Sequence, residues 1–583
     1  MRYSYTSALL LAASGALAAP ASRRAAAPAA VVKNGTLEGV HSSEYNQDFF
    51  LGVPFAQPPT GELRFRVPQS LNSSWDATKS ATDYAASCIG YGSDQFGYEI
   101  SEDCLYLNVV RPSGYENQTL PVAFWIHGGG YTQGGGGDHR YNLSFIVQNG
   151  VEIGKPFIGV STNYRLSAWG FLNGDDVQES GNTNLGLRDQ RLALHWLQEN
   201  IEAFGGDSKK VTIFGESAGG SSVGFQLTAY NGRDDSLFRG AIMESGSPIY
   251  YGSLNDSTGF QSKYDSLLSQ AGCSNATDGL DCLRDLSYED LNAVINQTVF
   301  QSWGPAIDYD FIQGKTSEQL IKGDFVQVPI IIGANSDEGQ SFGPVGINKT
   351  EDFVNVLLCT STRPSANAKN DPGSCVPDPA SGIPSNFTSS ILQAYPDIPA
   401  EGIPGSPPLG FLPPDFRYGA PQGAQYRRSA AYYGDHYFVA NRRITCERWA
   451  EHGLKAYCFR FNAIPNGATA AAHFQEVAFV FDNILGTGYN PPISSKPFEN
   501  RGQNYVDLAK FMSSSWASFF VDLDPNGYNR QGNATVENWP AYDVADPKDI
   551  VFHANVTSYV EPDTYRAAGM KLIKDNSAGV YHR

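Results

Sequence analysis

A pentapeptide with the pattern G-x-S-x-G follows an apolar run near residue 215. The apolar run covers residues 211–215, the pentapeptide covers residues 215–219, and small residues continue to Gly224. Glycines on both sides of a serine let the backbone turn sharply from a strand into a helix, which exposes the hydroxyl at the end of the strand. The pattern therefore predicts that Ser217 is a nucleophile at a strand-to-helix turn rather than part of a plain structural turn.

Further apolar runs alternate with helical patterns along the chain. Residues 121–127, 157–161 and 328–333 read as buried strands, and residues 184–204 carry leucines at helical spacing. This alternation predicts an α/β fold with a large, mostly parallel central sheet flanked by helices. Residues 359–425 are rich in Pro, Gly and Ser, and we interpret them as a loop insertion, either a surface excursion or a cap over the site.

Composition excludes two broad classes of protein. The chain has 583 residues, of which 41% are hydrophobic and 17% are charged, and its net charge is −19. The apolar content is sufficient for a large core, so a disordered chain is excluded. Because no basic excess is present to neutralise phosphates, nucleic acid is not an expected partner.

The N-terminus has the pattern of a secretory signal. Arg2 precedes an apolar stretch at residues 8–13, and small residues follow at 16–19. We expect a signal peptide at residues 1–19, a flexible arm or short pro-segment at 20–30, and one domain at 31–583, with no transmembrane segment.

The glycosylation sequons and the cysteines are also consistent with an exported protein. Glycosylation is possible at eleven N-x-S/T sequons, which are Asn34, Asn72, Asn117, Asn142, Asn255, Asn275, Asn296, Asn348, Asn386, Asn533 and Asn555. Eight cysteines without C-x-x-C spacing favour disulfides over a metal site. Pairing of sequential neighbours would give Cys88–Cys104, Cys273–Cys282, Cys359–Cys375 and Cys446–Cys458, of which the first two are favoured.

Three successive glycines offer donors for an oxyanion. His127-Gly128-Gly129-Gly130 closes the strand predicted at 121–127, and its backbone N–H groups could hold the oxyanion together with that of Ala218. The alternative is that these glycines only form a tight turn.

A serine nucleophile needs a base and an acid that orients the base. Asp337 and Glu338 both follow the strand predicted at 328–333, and the residues alone do not choose between them. Of the downstream histidines, His473 follows a small-residue loop that leaves its imidazole free to move, so it is favoured, with His436 as the second candidate.

Several motifs resemble the type-B carboxylesterase/lipase family, the cholinesterase-like branch of the α/β-hydrolases, and secreted fungal members most of all. They are Glu102-Asp103-Cys104-Leu105, Asn184-Leu185-Gly186-Leu187-Arg188-Asp189-Gln190, Phe214-Gly215-Glu216-Ser217-Ala218-Gly219-Gly220, Ser245-Gly246-Ser247-Pro248 and Asp337-Glu338-Gly339. The resemblance covers residues 31–560. It implies an α/β-hydrolase fold, a triad of Ser217, Glu338 and His473, and oxyanion donors at Gly129, Gly130 and Ala218.

The resemblance also implies that Ser245 lies near the triad, that Cys88–Cys104 and Cys273–Cys282 are paired, and that no metal or cofactor takes part. Only fifteen residues separate Cys88 from Cys104, a shorter flap than in lipase members, which argues against strong interfacial activation. The expected function is that of a secreted serine carboxylic-ester hydrolase acting on a small-molecule or lipid ester. A lipase or sterol esterase is the alternative; an inactive adhesion protein is disfavoured because all three triad positions are filled.

Overall fold

A single large sheet organises the fold in this computed structural model, which describes residues 27–116, 118–359, 383–405, 410–490, 494–528 and 538–583. The sheet has eleven strands. In chain order, strands β1 to β11 are Val40–Ser42, Gln47–Pro54, Tyr106–Pro112, Leu120–Ile126, Ile158–Thr162, Gly206–Glu216, Gly240–Glu244, Ile330–Asn335, Ala456–Phe461, Lys548–Phe552 and Tyr559–Pro562.

The centre of the sheet is parallel. The spatial order is β11-β10-β9-β8-β7-β6-β4-β5-β3-β2-β1, and every pair from β10 across to β5 is parallel. The strands at both ends, β11 on one side and β3, β2 and β1 on the other, pair antiparallel. Because parallel strands end at the same edge, the loops after β4, β6, β7, β8 and β9 converge there.

Helices cover both faces of the sheet. The helices α1 to α18 are Leu143–Glu152, Ser167–Phe171, Asp175–Glu179, Leu185–Asn200, Ala218–Gly232, Gln261–Gln270, Gly279–Asp285, Tyr288–Ile295, Thr298–Gln301, Thr316–Lys322, Gly339–Phe342, Thr350–Cys359, Thr388–Ala394, Tyr426–Gly434, Ala440–Glu451, Val477–Val480, Gln503–Asp522 and Ala567–Asp575. None of the helices in the described ranges is both long and apolar enough to cross a membrane.

Strand β4 shows why the sheet is buried on both faces. Successive strand side chains point to opposite faces. Phe124 packs in the core that contains Leu194 of α4, whereas Trp125 packs in the core that contains Trp516 of α17. Every residue of β4 is therefore apolar and buried, as the continuous apolar run predicts.

The element boundaries differ from the sequence expectations by a few residues. The predicted helix at 184–204 is α4 followed by a 3₁₀-helix at Ile201–Phe204, and the strand predicted at 211–215 begins earlier, at Gly206. A short strand, Ala29–Val32, begins inside the range expected to be an arm because it pairs with Gly35–Glu38 and buries Ala30. The signal peptide predicted at residues 1–19 lies outside the described residues.

Among the residues that the structure describes, three disulfides link sequential cysteines. They join Cys88 to Cys104, Cys273 to Cys282 and Cys446 to Cys458. Cys375, the expected partner of Cys359, lies outside the described residues.

Candidate active site

Ser217 occupies a sharp turn between β6 and α5. Its φ of 56° and ψ of −120° lie outside the helical and strand regions, and its N–H donates to the Glu244 carbonyl over 2.8 Å. The flanking glycines are required by close packing. A Cβ on Gly219 would lie 2.0 Å from the Ile126 carbonyl oxygen, and one on Gly215 would lie 2.6 Å from Gly219. The chain therefore holds Ser217 in a strained conformation at the sheet edge.

His473 is paired with Glu338. The His473 Nδ1 lies 2.7 Å from Glu338 Oε2, and the Glu338 side chain is fully buried in the loop after β8. The other oxygen, Oε1, accepts the Asn335 N–H at 2.8 Å and the Ser245 hydroxyl at 2.5 Å. With both oxygens of Glu338 occupied, the carboxylate has one orientation, and Ser245 lies next to the pair.

Asp337, the other candidate acid, points elsewhere. Its two oxygens accept the backbone N–H groups of Gly405 and Ala471, each at 3.1 Å, and burial raises the pKa of Asp337 to about 6. These bonds tie together two loops, so Asp337 has a bridging role in the structure. His436, the second candidate base, is buried with its ring stacked at 5.6 Å on Tyr432, and burial lowers its pKa well below the usual range. Its ring does not contact either acid among the described contacts.

The imidazole of His473 reaches the turn that contains Ser217. Its Nε2 lies 3.2 Å from Oε1 of Glu216, the residue before Ser217, without the geometry of a hydrogen bond. No hydrogen bond joins His473 to the Ser217 hydroxyl among the described residues. In ligand-free enzymes such bonds are often long and tighten only when substrate binds.

The glycine turn after β4 packs against Ser217. Gly129 and Gly130 have φ of 99° and 64°, and a Cβ on Gly128 would lie 3.1 Å from Ser217 Cβ. In the described part of the chain, no acceptor takes the N–H groups of Gly129, Gly130 or Ala218. Backbone donors that are free and close to a nucleophile are suited to hold an oxyanion.

A cluster of three buried glutamates, which we call the glutamate cluster, lies beneath Ser217 and was not predicted from sequence. Glu216 and Glu244 pair in register at the ends of β6 and β7, and Glu476 accepts the Asn335 side-chain amide and lies 3.4 Å from Ser245 Oγ. Burial, and then the neighbouring carboxylates, raise the pKa of Glu216 and Glu244 well above the usual range and that of Glu476 to about 7. A glutamate directly after an apolar run, at residues 211–215 in β6 and 240–243 in β7, was the available sequence signal.

The glutamate cluster predicts a pH-dependent stability. Above the pKa of an unfolded glutamate, about 4.3, folding must bury a charge or take up a proton, so each raised pKa costs stability as pH increases. Glu244→Gln removes one such group, and the amide oxygen can still accept the Trp516 indole N–H that Glu244 accepts at 2.9 Å. We expect the melting temperature of this variant to exceed that of the wild type by on the order of 3 °C near pH 8, and by less near pH 5.

Calorimetry at both pH values measures this difference. Glu318→Gln, at an exposed position of α10, is the matched control and should leave the melting temperature unchanged. An equal gain at both pH values would contradict the assignment of a raised pKa to Glu244.

Comparison with known proteins identifies the chain's family. A model described as "Carboxylesterase family" matches residues 26–566. The chain belongs to this family. Lipase 4 of Diutina rugosa is 32% identical, over 96% of this chain and 97% of that protein, and Lipase 1 of Geotrichum candidum is 34% identical, over 94% and 95%. The crystal structure of Aspergillus niger EstA superposes with a TM-score of 0.78 at 27% identity, covering 96% of this chain and 99% of that chain.

These similarities confirm the resemblance that the motifs indicate. The sheet flanked by helices is that of the α/β-hydrolases, and this carboxylesterase family member is a carboxylic ester hydrolase.

Proposed function

We propose that the chain hydrolyses esters through a covalent acyl-enzyme on Ser217, with His473 as base and Glu338 as the acid that orients it. The observation that carries the proposal is the 2.7 Å contact between His473 Nδ1 and Glu338 Oε2. A carboxylate on Nδ1 fixes the proton there and leaves Nε2 free to accept the proton of the serine hydroxyl.

The reaction proceeds in two halves. The imidazole turns its Nε2 from Glu216 toward Ser217 and takes the hydroxyl proton as the oxygen attacks the ester carbonyl. The N–H groups of Gly129, Gly130 and Ala218 stabilise the oxyanion, and His473 then protonates the departing alcohol. Water repeats the sequence against the acyl-enzyme, which releases the carboxylic acid and restores Ser217.

The loop closed by Cys88 and Cys104 favours soluble esters over a lipid interface. The disulfide spans 16 positions, and within this loop Phe96 and Ile100 are the exposed large apolar residues, at 66% and 38% exposure. A loop this short can cover or uncover only a small apolar area, so little activation at an interface is expected. A lipase is the second candidate because the curated relatives named above are called lipases.

Export and glycosylation form part of the same proposal. A relative in Botryotinia fuckeliana, 32% identical over 90% of this chain, is named a secreted lipase. Asn34, which donates to the Ser73 carbonyl, and Asn142, which caps α1, are only partly exposed. We propose glycans at the exposed sequons, which are Asn72, Asn255, Asn275, Asn296, Asn348, Asn386 and Asn555.

A labelling and substrate experiment tests the proposal. A fluorophosphonate should modify one site, found by mass spectrometry on the peptide that contains Ser217, and should abolish hydrolysis of 4-nitrophenyl esters. With short-chain esters the rate should saturate below the solubility limit and show no jump when an emulsion forms. Labelling at another residue would overturn the triad, whereas a sharp rise on an emulsion would assign the enzyme to the lipases.

A further inference from the structure

A π-turn interrupts the long helical segment that crosses beside the site. Helix α14 ends at Gly434, residues Asp435–Val439 form the π-turn, and α15 begins at Ala440, whose N–H donates five residues back to the Asp435 carbonyl. Such a turn inserts one residue into the helix and rotates the side chains that follow. It is less favourable than a continuous α-helix and is found often at functional sites.

Side chains from distant segments stabilise this π-turn. Arg566 donates two hydrogen bonds to the Asp435 carboxylate, and Arg583 donates to the His436 carbonyl at 2.7 Å. The Asn441 amide donates to the Tyr437 carbonyl at 2.9 Å. Two carbonyls of the turn are thus satisfied by side chains, and the rotated register is held in place.

The rotated register directs the ring of Phe438 onto the catalytic imidazole. The Phe438 and His473 rings stack with centroids 4.7 Å apart and planes inclined by 27°, and Phe438 is only 4% exposed. Phe342, at the end of α11, meets the imidazole edge-on at 4.8 Å and 77°. The imidazole is therefore in contact with two aromatic rings, one stacked on its face and one edge-on.

We propose that Phe438 is a positioning residue for His473. The π-turn holds the Phe438 ring against the face of the imidazole, and this ring restricts the imidazole to movement between Glu216 and Ser217. The same ring stabilises the imidazolium that forms during the reaction. This inference rests on the proposed triad. It assigns to the π-turn a role in catalysis rather than in packing alone.

The physical basis is the charge distribution of a benzene ring. Its face is negative, so it attracts a cation more strongly than a neutral ring, and the attraction increases when water is excluded. The imidazole becomes an imidazolium only when it has taken the serine proton. The contact with Phe438 is therefore stronger in the transition state than in the resting enzyme, which is the condition for a contribution to kcat.

Three carboxyl groups also face His473. Glu338 lies at Nδ1, Glu216 lies near Nε2, and Glu476 interacts with the imidazole through space. All three remain in a variant that changes only Phe438. A change in pH dependence in that variant consequently reports the loss of the aromatic ring.

Substitution of Phe438 by leucine tests the proposal. We expect kcat for a soluble ester to fall about tenfold, with KM changed by less than about twofold. The ring favours the protonated imidazole, so its loss should move the acidic limb of the kcat profile to lower pH by about one unit. Phe353→Leu is the matched control because Phe353 is fully buried in the same apolar cluster without touching His473.

A second variant separates electrostatics from packing. Pentafluorophenylalanine at position 438 keeps the shape of the ring but reverses the charge of its face, so it should shift the acidic limb and lower kcat as leucine does, while Phe438→Tyr should restore both. The proposal is overturned if the fluorinated enzyme keeps the wild-type pH profile, or if Phe353→Leu produces the same shift. The proposed triad fails separately, through retained activity in a variant without the Ser217 hydroxyl.

Discussion

Replacing Ser217 by alanine is expected to lower kcat for a soluble ester by about 10⁶-fold. In the proposed mechanism this hydroxyl forms the acyl-enzyme, and without it His473 has no nucleophile to activate. The remaining N–H donors near Gly129 and Ala218 can still polarise a bound carbonyl, so a residual activity of about 10³-fold over water is expected. Folding should be unaffected, because the Ser217 backbone N–H keeps its bond to the Glu244 carbonyl.

Ser221→Ala is the matched control for this variant. Ser221 lies one turn further along α5, and its N–H donates to the Ser217 carbonyl, a bond that alanine keeps. The variant therefore removes a hydroxyl from the same helix and leaves Ser217 in place. Steady-state rates are measured on purified proteins at equal concentration, and a fluorophosphonate should abolish the rate of the wild type and of Ser221→Ala. Wild-type turnover in purified Ser217→Ala enzyme would contradict the assignment of the nucleophile.

The strand-to-helix turn at Ser217 could be predicted from the sequence because the required information is local. An apolar strand, two glycines and a small-residue helix start all lie within residues 211–224. The same holds for the glycine turn after β4, where the strand pattern and the three glycines are contiguous. Local steric requirements can be satisfied by few residue types and so remain visible in the sequence; a Cβ on Gly219, for example, would lie 2.0 Å from the Ile126 carbonyl oxygen.

The choice between Asp337 and Glu338 depends on segments that are far apart in sequence. Both carboxylates follow the same strand, and their roles are separated only because Gly405 and Ala471 bring N–H groups to Asp337. The residue pattern alone could not predict where these loops lie, so the prediction of Glu338 as the acid rested on the family resemblance.

The π-turn and the glutamate cluster were not predicted for a similar reason. Nothing in the spacing of residues 426–451 marks the inserted residue, which is held by Arg566 and Arg583 from near the end of the chain. Glu216 and Glu244 meet because two strands pair in register. Tertiary contacts, rather than local preference, determine both features.

Glu338→Gln is expected to lower kcat by about 10⁴-fold while leaving the fold intact. The reason is the orientation imposed on the new amide. Glu338 Oε1 accepts hydrogen bonds from the Asn335 N–H and the Ser245 hydroxyl, so the amide oxygen must take this position and the NH₂ group must face His473. A donor at Nδ1 forces the imidazole into the tautomer with its proton on Nε2, and that nitrogen can no longer accept the serine proton.

Asp337→Asn is the matched control for Glu338→Gln, because the two residues are adjacent and both are buried. Asparagine can accept only one of the two N–H groups that Asp337 accepts, so a lower melting temperature is expected, with kcat reduced by less than about tenfold. Rates and melting temperatures are measured on both variants with the same soluble ester. If folded Asp337→Asn lost as much kcat as Glu338→Gln, the acid of the triad would have to be reassigned. Asp337 bonds to the backbone of two loops and not to His473, so its substitution should not change the tautomer of His473.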